Sequence, residues 1–163
     1  MSKMIEIERK FVVDIAKFRE MENITQPGKK VVQAYLNIDE PEISQVRIVC
    51  MNDGIGKVSI KGKKIGFSRP EYEYNIPYDD AKELIAKIPN RIYKENIHVF
   101  YKGREWLVAI FHEENEGLAI AEVELPSEDT EVEIPEWCIK EVTYDDKYYV
   151  KSLAKNPYKN WEK

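Results

Sequence analysis

Glutamates two residues apart occur in three stretches of this sequence that otherwise alternate like β-strands. These Glu-x-Glu pairs are Glu6 and Glu8, Glu71 and Glu73, and Glu122 and Glu124. Because successive side chains of a strand point to opposite faces, both members of each pair lie on the same face. A single pair of this kind is also compatible with a solvated strand face. Three pairs in one small domain indicate carboxylates that converge inside the fold, and converging carboxylates need a cation.

Basic side chains accompany the acidic pairs. Lys10 follows the first pair at the same spacing, and the other basic residues on the face expected to point inward are Arg47, Lys61 and Lys94. Burying so many charges without water would cost several kcal/mol per ion. A water-filled interior that binds metal ions and a polyanion would satisfy both sets of charges.

The elements that position these residues are mostly strands. Apolar and polar residues alternate over eight segments, which predicts strands at 4–13, 31–38, 44–51, 57–63, 69–76, 92–101, 105–112 and 119–125. Helices are predicted after Asp14, after a cap at Asp79 and after a cap at Asp145 or Asp146, and a last extended piece begins at Trp137. Closing eight strands into a barrel removes exposed edges. We therefore predict an α+β fold in which an eight-stranded antiparallel β-barrel forms a tunnel with flanking helices.

The composition fits one globular domain spanning residues 1–163. Charged residues make up 34% of the chain, above the usual quarter, which fits a polar interior. The net charge of −5 argues against a general nucleic-acid or membrane-surface binder. No apolar run approaches the ~18 residues of a membrane span. We expect a cytoplasmic protein, monomeric or homodimeric, in which Cys50 and Cys138 are reduced thiols.

The order of these motifs resembles the CYTH superfamily, the triphosphate tunnel metalloenzymes. The hallmark of that family, an N-terminal Glu-x-Glu-x-Lys, is present as Glu6-Ile7-Glu8-Arg9-Lys10. The resemblance runs almost end to end, through Gln33-Ala34-Tyr35-Leu36, Val46-Arg47-Ile48, Ile60-Lys61-Gly62, Arg69-Pro70-Glu71-Tyr72-Glu73, Ala121-Glu122-Val123-Glu124-Leu125 and Glu141-Val142-Thr143-Tyr144-Asp145. It implies an eight-stranded tunnel that binds a triphosphate with basic residues and one or two divalent metals with glutamates.

The predicted site follows from these residues and from the resemblance. The predicted metal ligands are Glu6, Glu8, Glu122 and Glu124. Hard oxygen ligands favour Mg²⁺ or Mn²⁺, and no Cys/His cluster competes with them. The predicted phosphate-binding residues are Lys10, Arg47, Lys61, Lys94 and, by analogy with the family, Lys147 at the tunnel entrance. Glu6, Glu8 and Lys10 are expected to take part in catalysis, and Glu71, Glu73 and Asp145 to lie elsewhere in the lumen.

Four positions depart from the pattern of the family. Val49 and Asn96 stand where many members have cations, and Leu107 and Ala109 stand where an acidic pair is usual. Because two cations and two acids are missing together, we interpret the departures as the loss of ion-pair partners. Glu105 is in phase with Leu107 and is the residue that could partly replace the missing acids.

The function expected from the sequence is metal-dependent hydrolysis of a triphosphate. Inorganic triphosphate is the simplest substrate, because the single domain has no visible module for a nucleoside, thiamine or RNA. A small polyphosphate is therefore the expected partner, and nucleic acid and membranes are not. The four departures favour a second hypothesis, a weakly active or inactive polyphosphate- or nucleotide-binding protein. An adenylate cyclase is the third hypothesis.

Overall fold

The computed structural model describes residues 3–163. These residues form nine strands: β1 Lys3–Val13, β2 Lys29–Tyr35, β3 Ile43–Met51, β4 Gly56–Gly62, β5 Ser68–Ile76, β6 Arg91–Tyr101, β7 Arg104–Phe111, β8 Ala119–Glu124 and β9 Cys138–Glu141. The α-helices are α1 Ile15–Met21, α2 Tyr78–Lys87 and α3 Val150–Lys155. Single 3₁₀ turns occur at Glu113–Asn115, Asp146–Tyr148 and Tyr158–Asn160.

Eight of the strands form a closed antiparallel ring. Its order is β5-β4-β3-β2-β6-β7-β8-β1, and β1 closes it by pairing with β5. The first half of β1 pairs with β5 and its second half with β8, while its last residues also pair with the short strand β9. The predicted α+β fold with an eight-stranded antiparallel tunnel is therefore confirmed.

Apolar residues lie on the outer faces of the ring, beneath the helices. Phe18 of α1 is fully buried and packs edge-on against Trp137, which in turn contacts Trp106 of β7. On another side Ala81 and Ile85 of α2 pack with Ile48 and other residues of β3 and β4. With the apolar side chains outside, the alternation of each strand turns its charged side chains into the ring.

An apolar cluster fills one end of the ring. Tyr35, Ile92, Phe111 and Ile120 project inward there and pack with Leu153 of α3. The C-terminal residues Tyr148, Val150, Ala154, Tyr158 and Trp161 pack around this cluster. The tunnel is therefore blind at the end that α3 covers, which we call the closed end.

Of the predicted helix caps, the structure confirms Asp14 and does not confirm Asp79. Asp14 caps α1 as expected, because its side chain accepts a hydrogen bond of 3.0 Å from the backbone N–H of Lys17. Asp79 does not cap α2, since Pro77 occupies the N-cap position and Asp79 lies in the first turn. Asp145 caps the 3₁₀ turn Asp146–Tyr148, and α3 begins only at Val150, after Tyr149.

Within residues 3–163, no helix has the length and apolar character needed to cross a bilayer.

Candidate functional site

The interior of the ring holds a cavity of about 490 Å³. Every strand of the ring contributes side chains to its wall, and Tyr149 and Val150 line it from the closed end. The basic residues of the wall are Lys10, Lys29, Arg47, Lys57, Lys61, Arg69 and Lys94, and the acidic residues are Glu6, Glu8, Glu71, Glu73, Glu122 and Glu124. The cavity is therefore lined by nearly balanced charges, as the sequence predicted for a lumen that binds both cations and polyanions.

Three of the predicted metal ligands form one acidic cluster. Glu8 and Glu124 are directly opposite each other in the β1–β8 pairing, and Glu6 precedes Glu8 on the same face. One carboxylate oxygen of each residue lies within 4.8 Å of the others. Burial, followed by the charges of Glu8 and Glu6, raises the pKa of Glu124 to about 7. Carboxylates held this close repel one another, and a divalent cation with oxygen ligands would relieve that repulsion.

Glu122 lies outside this cluster. The ammonium of Lys10 lies between two carboxylates, at 2.5 Å from Oε2 of Glu122 and 3.3 Å from Oε1 of Glu8. Burial raises the pKa of Glu122, but the charges of Lys10 and Lys94 outweigh it and hold that pKa well below its usual range. The structure therefore pairs Glu122 with a lysine instead of grouping it with Glu6, Glu8 and Glu124.

Ion pairs hold the acids of β1 and β5. Nζ of Lys61 lies 2.7 Å from Glu6, and Nε of Arg69 lies 3.1 Å from the other oxygen of the same carboxylate. Glu71 accepts a hydrogen bond of 3.1 Å from the hydroxyl of Ser59 and lies 3.8 Å from Arg47. Glu73 lies 3.1 Å from Lys57, at the end of the ring opposite the closed end. These contacts fix the carboxylates and the cations relative to one another before any ligand binds.

Lys94 differs from the other basic residues of the cavity. Its side chain is buried, and among residues 3–163 no carboxylate oxygen lies within 4.0 Å of its ammonium. Burial lowers the pKa of Lys94 to about 7, since the charge of Glu122 does not offset both burial and the nearby cations Arg47 and Lys10. The Nζ atom lies 6.0 Å from the centre of the Phe111 ring, at the edge of the closed end.

The four departures from the family pattern occupy two environments. Val49, Asn96 and Leu107 line the cavity, whereas Ala109 is buried in the apolar cluster of the closed end. Within the described chain, the buried Oδ1 of Asn96 and the buried Nε of Arg47 have no hydrogen-bond partner. Unsatisfied polar atoms in a cavity wall mark places where water or a ligand can bind.

Two of the predicted site residues, Lys147 and Asp145, lie outside the cavity wall. Lys147 belongs to the 3₁₀ turn before α3, and its ammonium packs over the ring of Trp161 at 4.4 Å from the ring centre. Asp145 lines a surface depression formed by residues 141–146 and accepts a hydrogen bond from the Lys147 backbone. Asp145, which was expected in the lumen, does not line the cavity, and neither does Lys147, which was expected at its entrance; Tyr149 and Val150 of the same segment line it.

Glu105 lies beside the cavity at the β6–β7 hairpin. It is half exposed and pairs with His98 at 3.5 Å. It lines a neighbouring depression of about 330 Å³ whose wall also includes Glu8, Glu124 and Leu107. Glu105 is therefore near the acidic cluster without belonging to it.

Sequence reasoning missed several residues of the cavity wall. Arg69 is the most important, because it binds Glu6, and its position two residues before Glu71 was a usable signal. Gln33, Gln45 and Tyr149 carry no charge, and their side chains gave no comparable signal. The hydroxyl of Tyr149 donates to the carbonyl of Thr143 and accepts from Lys64 at 2.7 Å.

Solved structures of the same class share this architecture. One is the crystal structure of an inorganic triphosphatase, with a TM-score of 0.61, 26% identity, and coverage of 91% of this chain and 93% of that chain. Another is a protein of Bacillus halodurans proposed to be an adenylate cyclase, with a TM-score of 0.64. It covers 78% of this chain and 84% of that chain, and at 16% identity it shows the fold alone. This chain therefore shares its fold with these proteins, one of which is an inorganic triphosphatase.

Sequence comparison identifies the family. The CYTH domain model matches residues 4–156. The chain is also 38% identical over 159 residues to an inorganic triphosphatase of Acetivibrio thermocellus, across 96% of this chain and 97% of that protein. This protein therefore belongs to the CYTH domain family, and the resemblance seen in the sequence is confirmed.

Proposed function

We propose that this protein is a divalent-metal-dependent triphosphatase and that inorganic triphosphate is its substrate. One observation carries the proposal: a cluster of three carboxylates shares a single cavity with cations that can bind a polyanion. The similarity to the Acetivibrio thermocellus inorganic triphosphatase along nearly the whole of both chains supports the same activity and the same substrate.

Glu6, Glu8 and Glu124 are the residues proposed to hold the metal. Their donor set is all oxygen, which suits Mg²⁺ or Mn²⁺. The raised pKa of Glu124 supports this assignment, since burial and the nearby charges of Glu8 and Glu6 disfavour its ionised form, and a bound cation would favour that form. When bound, the cation supplies Lewis-acid polarisation of the phosphoryl group and acidification of water. Glu122 is proposed as a partner that orients Lys10, because the two side chains contact each other.

The cations of the cavity are proposed to bind the phosphates. Arg47, Lys61, Arg69 and Lys94 project into one space from four different strands. Such preorganised positive charge stabilises negative charge as it moves to the leaving group, which is a large part of phosphoryl-transfer catalysis. Lys10, held between Glu8 and Glu122, adds a further fixed charge beside the carboxylate cluster.

A small substrate suits the shape of the cavity. Its closed end is sealed by apolar side chains and α3, so an extended polymer cannot pass through the ring. A substrate therefore enters and its products leave by the open end, near Lys57 and His98. Inorganic triphosphate is small enough to enter, and its products to leave, by this one end.

Phosphate release from a panel of tri- and polyphosphates, with Mg²⁺ and with Mn²⁺, tests the proposal. We expect release from inorganic triphosphate that chelator abolishes and either metal restores. Glu8→Gln is the matched control, because it keeps the size of the side chain and removes its charge. Activity that persists in excess chelator, or a Glu8→Gln enzyme with the wild-type rate at every metal concentration, would contradict the proposal.

The binding-protein hypothesis is the second candidate. It is favoured by Asn96 and Leu107, which leave uncharged parts of the cavity wall at positions where the family pattern has charges. Tight, metal-dependent binding of triphosphate by a wild-type protein that never releases phosphate would favour it over the enzyme.

A further inference from the structure

We infer that Lys94 donates the proton that the leaving pyrophosphate acquires when triphosphate is cleaved, an inference that rests on the proposed function. Lys94 lies on β6 with its side chain in the wall of the cavity. Its residue exposure is 8%, so the ammonium is shielded from bulk water.

Lys94 is set apart by its contacts. Each of the other basic side chains that line the cavity has a carboxylate oxygen within 4.0 Å. These pairs are Lys10 with Glu122, Lys29 with Asp53, Arg47 with Glu71, Lys57 with Glu73, Lys61 with Glu6 and Arg69 with Glu6. A lysine in a close ion pair holds its proton, since loss of the proton would leave the carboxylate unpaired. Among the described residues, Lys94 is the lysine of this cavity that is free of such a pair.

The packing around Lys94 explains why it stays unpaired. Its backbone neighbours in the sheet are Val31 of β2 and Phe111 of β7, and neither offers a charge. Leu107 and Ala109 on β7 likewise offer no acid. Glu122 on β8 favours the charged form of Lys94, but the carboxylate of Glu122 already contacts Lys10.

Other titratable groups face the same space from each element of the wall. They are Glu6, Glu8 and Lys10 of β1, Lys29 and Tyr35 of β2, Arg47 of β3, Lys57 and Lys61 of β4, Arg69, Glu71 and Glu73 of β5, His98 of β6, Glu122 and Glu124 of β8, and Tyr149 before α3. Of the cations, Arg47, Lys10 and Lys61 disfavour a positive charge on Lys94. Burial and these cations lower the pKa of Lys94 to about 7.

This environment suits a proton donor. An acid whose pKa lies near the working pH can both hold a proton and transfer it. A triphosphate anion in the cavity favours the charged amine, so binding is coupled to uptake of a proton by Lys94. In the step itself, a water oxygen bonds to the terminal phosphorus while the bond to the bridging oxygen breaks. The bridging oxygen leaves with the Lys94 proton as hydrogen pyrophosphate, the water protons stay on the phosphate product, and the neutral amine takes a new proton from solvent.

Proton uptake on binding tests the inference without relying on turnover. Inorganic triphosphate is titrated calorimetrically into protein at pH 8 in chelator, in two buffers with different ionisation enthalpies. The wild type should take up nearly one proton more per bound triphosphate than Lys94→Arg, whose guanidinium is always charged. Protonation of the ligand itself is common to both and cancels in the comparison. Lys57→Arg is the matched control, since Lys57 is already paired with Glu73, and it should take up as many protons as the wild type.

Kinetics separate a proton donor from a simple phosphate ligand. In Lys94→Arg, kcat should fall by about 100-fold while KM changes by only a few fold, because the charge remains and the transferable proton is lost. The decline of wild-type kcat/KM above about pH 7 should also disappear in this variant. An arginine enzyme with the wild-type rate would overturn the inference.

A second variant covers the case in which arginine does not fit the site. Lys94→Met should unfold at or above the wild-type temperature, because it removes an unpaired buried charge, and it should also lack the extra proton uptake. If the wild type and both variants take up the same number of protons on binding triphosphate, the role of Lys94 is wrong, and the proposed function is unaffected. Wild-type protein that neither binds nor hydrolyses triphosphate contradicts the proposed function itself.

Discussion

The ammonium of Lys61 lies 2.7 Å from a carboxylate oxygen of Glu6, although β4 and β1 are not neighbours in the ring. β5 separates the two strands and contributes Arg69 to the same carboxylate at 3.1 Å. Burial raises the pKa of Glu6, but these two cations outweigh it, so the net pKa is lowered. Glu6 therefore stays ionised, whereas the pKa of Glu8 is raised by burial and then by the charge of Glu122.

The proposed roles of the acids and of the arginine predict different kinetic defects. Glu8→Gln should lower kcat by at least about 100-fold with the fold intact, because the carboxylate is lost from the proposed metal site. Arg47→Ala should mainly raise KM, by roughly tenfold or more, because a charged hydrogen-bond donor to the substrate is lost. Steady-state kinetics with inorganic triphosphate, with circular dichroism as the folding control, checks both. Equal effects on KM in the two variants would contradict the separation of roles.

Metal binding should stabilise the protein through the acidic cluster. Mg²⁺ or Mn²⁺ at about 100 times its dissociation constant should raise the free energy of unfolding by about 2.7 kcal/mol. Glu124→Gln should abolish most of this gain, since one of the three clustered carboxylates loses its charge. Thermal unfolding over a metal titration measures the effect. Glu73→Gln is a suitable control, because Glu73 pairs with Lys57 outside the cluster. Equal metal stabilisation in the wild type and in Glu124→Gln would place the metal elsewhere.

Stability of the metal-free protein should depend on pH through Glu124. Its folded-state pKa of about 7 lies above the unfolded value of 4.5, so the folded state binds this proton more tightly. The resulting stabilisation is fully present below pH 4.5 and is lost as the pH rises through 7. Urea unfolding in chelator from pH 4.5 to 8 should therefore show a decline that is smaller in Glu124→Gln. A Glu124→Gln profile parallel to that of the wild type would contradict this assignment.

Two positions that depart from the family pattern should respond differently to an introduced acid. Ala109→Asp should destabilise the fold by about 3 kcal/mol or more, because it buries a carboxylate in the apolar closed end. Leu107→Glu should cost less than ~1 kcal/mol, because this side chain faces the aqueous cavity opposite His98. Melting temperatures compare the two, and 1 kcal/mol corresponds to roughly 2–4 °C at this chain length. Similar melting temperatures for both variants would show that position 109 is not buried as described.

By sequence, Leu107 and Ala109 are predicted to be equivalent lumen positions. In the structure, Leu107 lines the cavity, whereas Ala109 lies in the apolar cluster of the closed end. The alternation of β7 places Leu107, Ala109 and Phe111 on one face, and the structure confirms that they all point into the ring. Alternation does not say how far along the axis the aqueous part extends. That distance is decided by α3, whose Leu153 belongs to the same apolar cluster as Phe111 and completes it.

The sequence by itself determined the ring and its lining. Strand alternation has a period of two, so each Glu-x-Glu pair and each basic residue in phase with it could be assigned to one face before any strand was placed. Closure then followed from the number of strands and from the need to pair their edges. The strand ends differ from the predicted ones by only a few residues at most, and Glu6, Glu8, Arg47, Lys61, Lys94 and Glu124 lie in the cavity as expected.

The tertiary structure alone decided which charges meet. Glu122 and Glu124 are equivalent in the sequence pattern, yet Lys10 lies opposite Glu122 in the β1–β8 register and Glu124 lies opposite Glu8. Because of this register, Glu122 forms an ion pair with Lys10, and Glu124 joins Glu6 and Glu8 as a candidate metal ligand. Lys94 is unpaired for a related reason, since no acid in the described chain is brought within 4.0 Å of it. Register, stagger and the path of the C-terminal segment are long-range relationships, and strand periodicity carries no information about them.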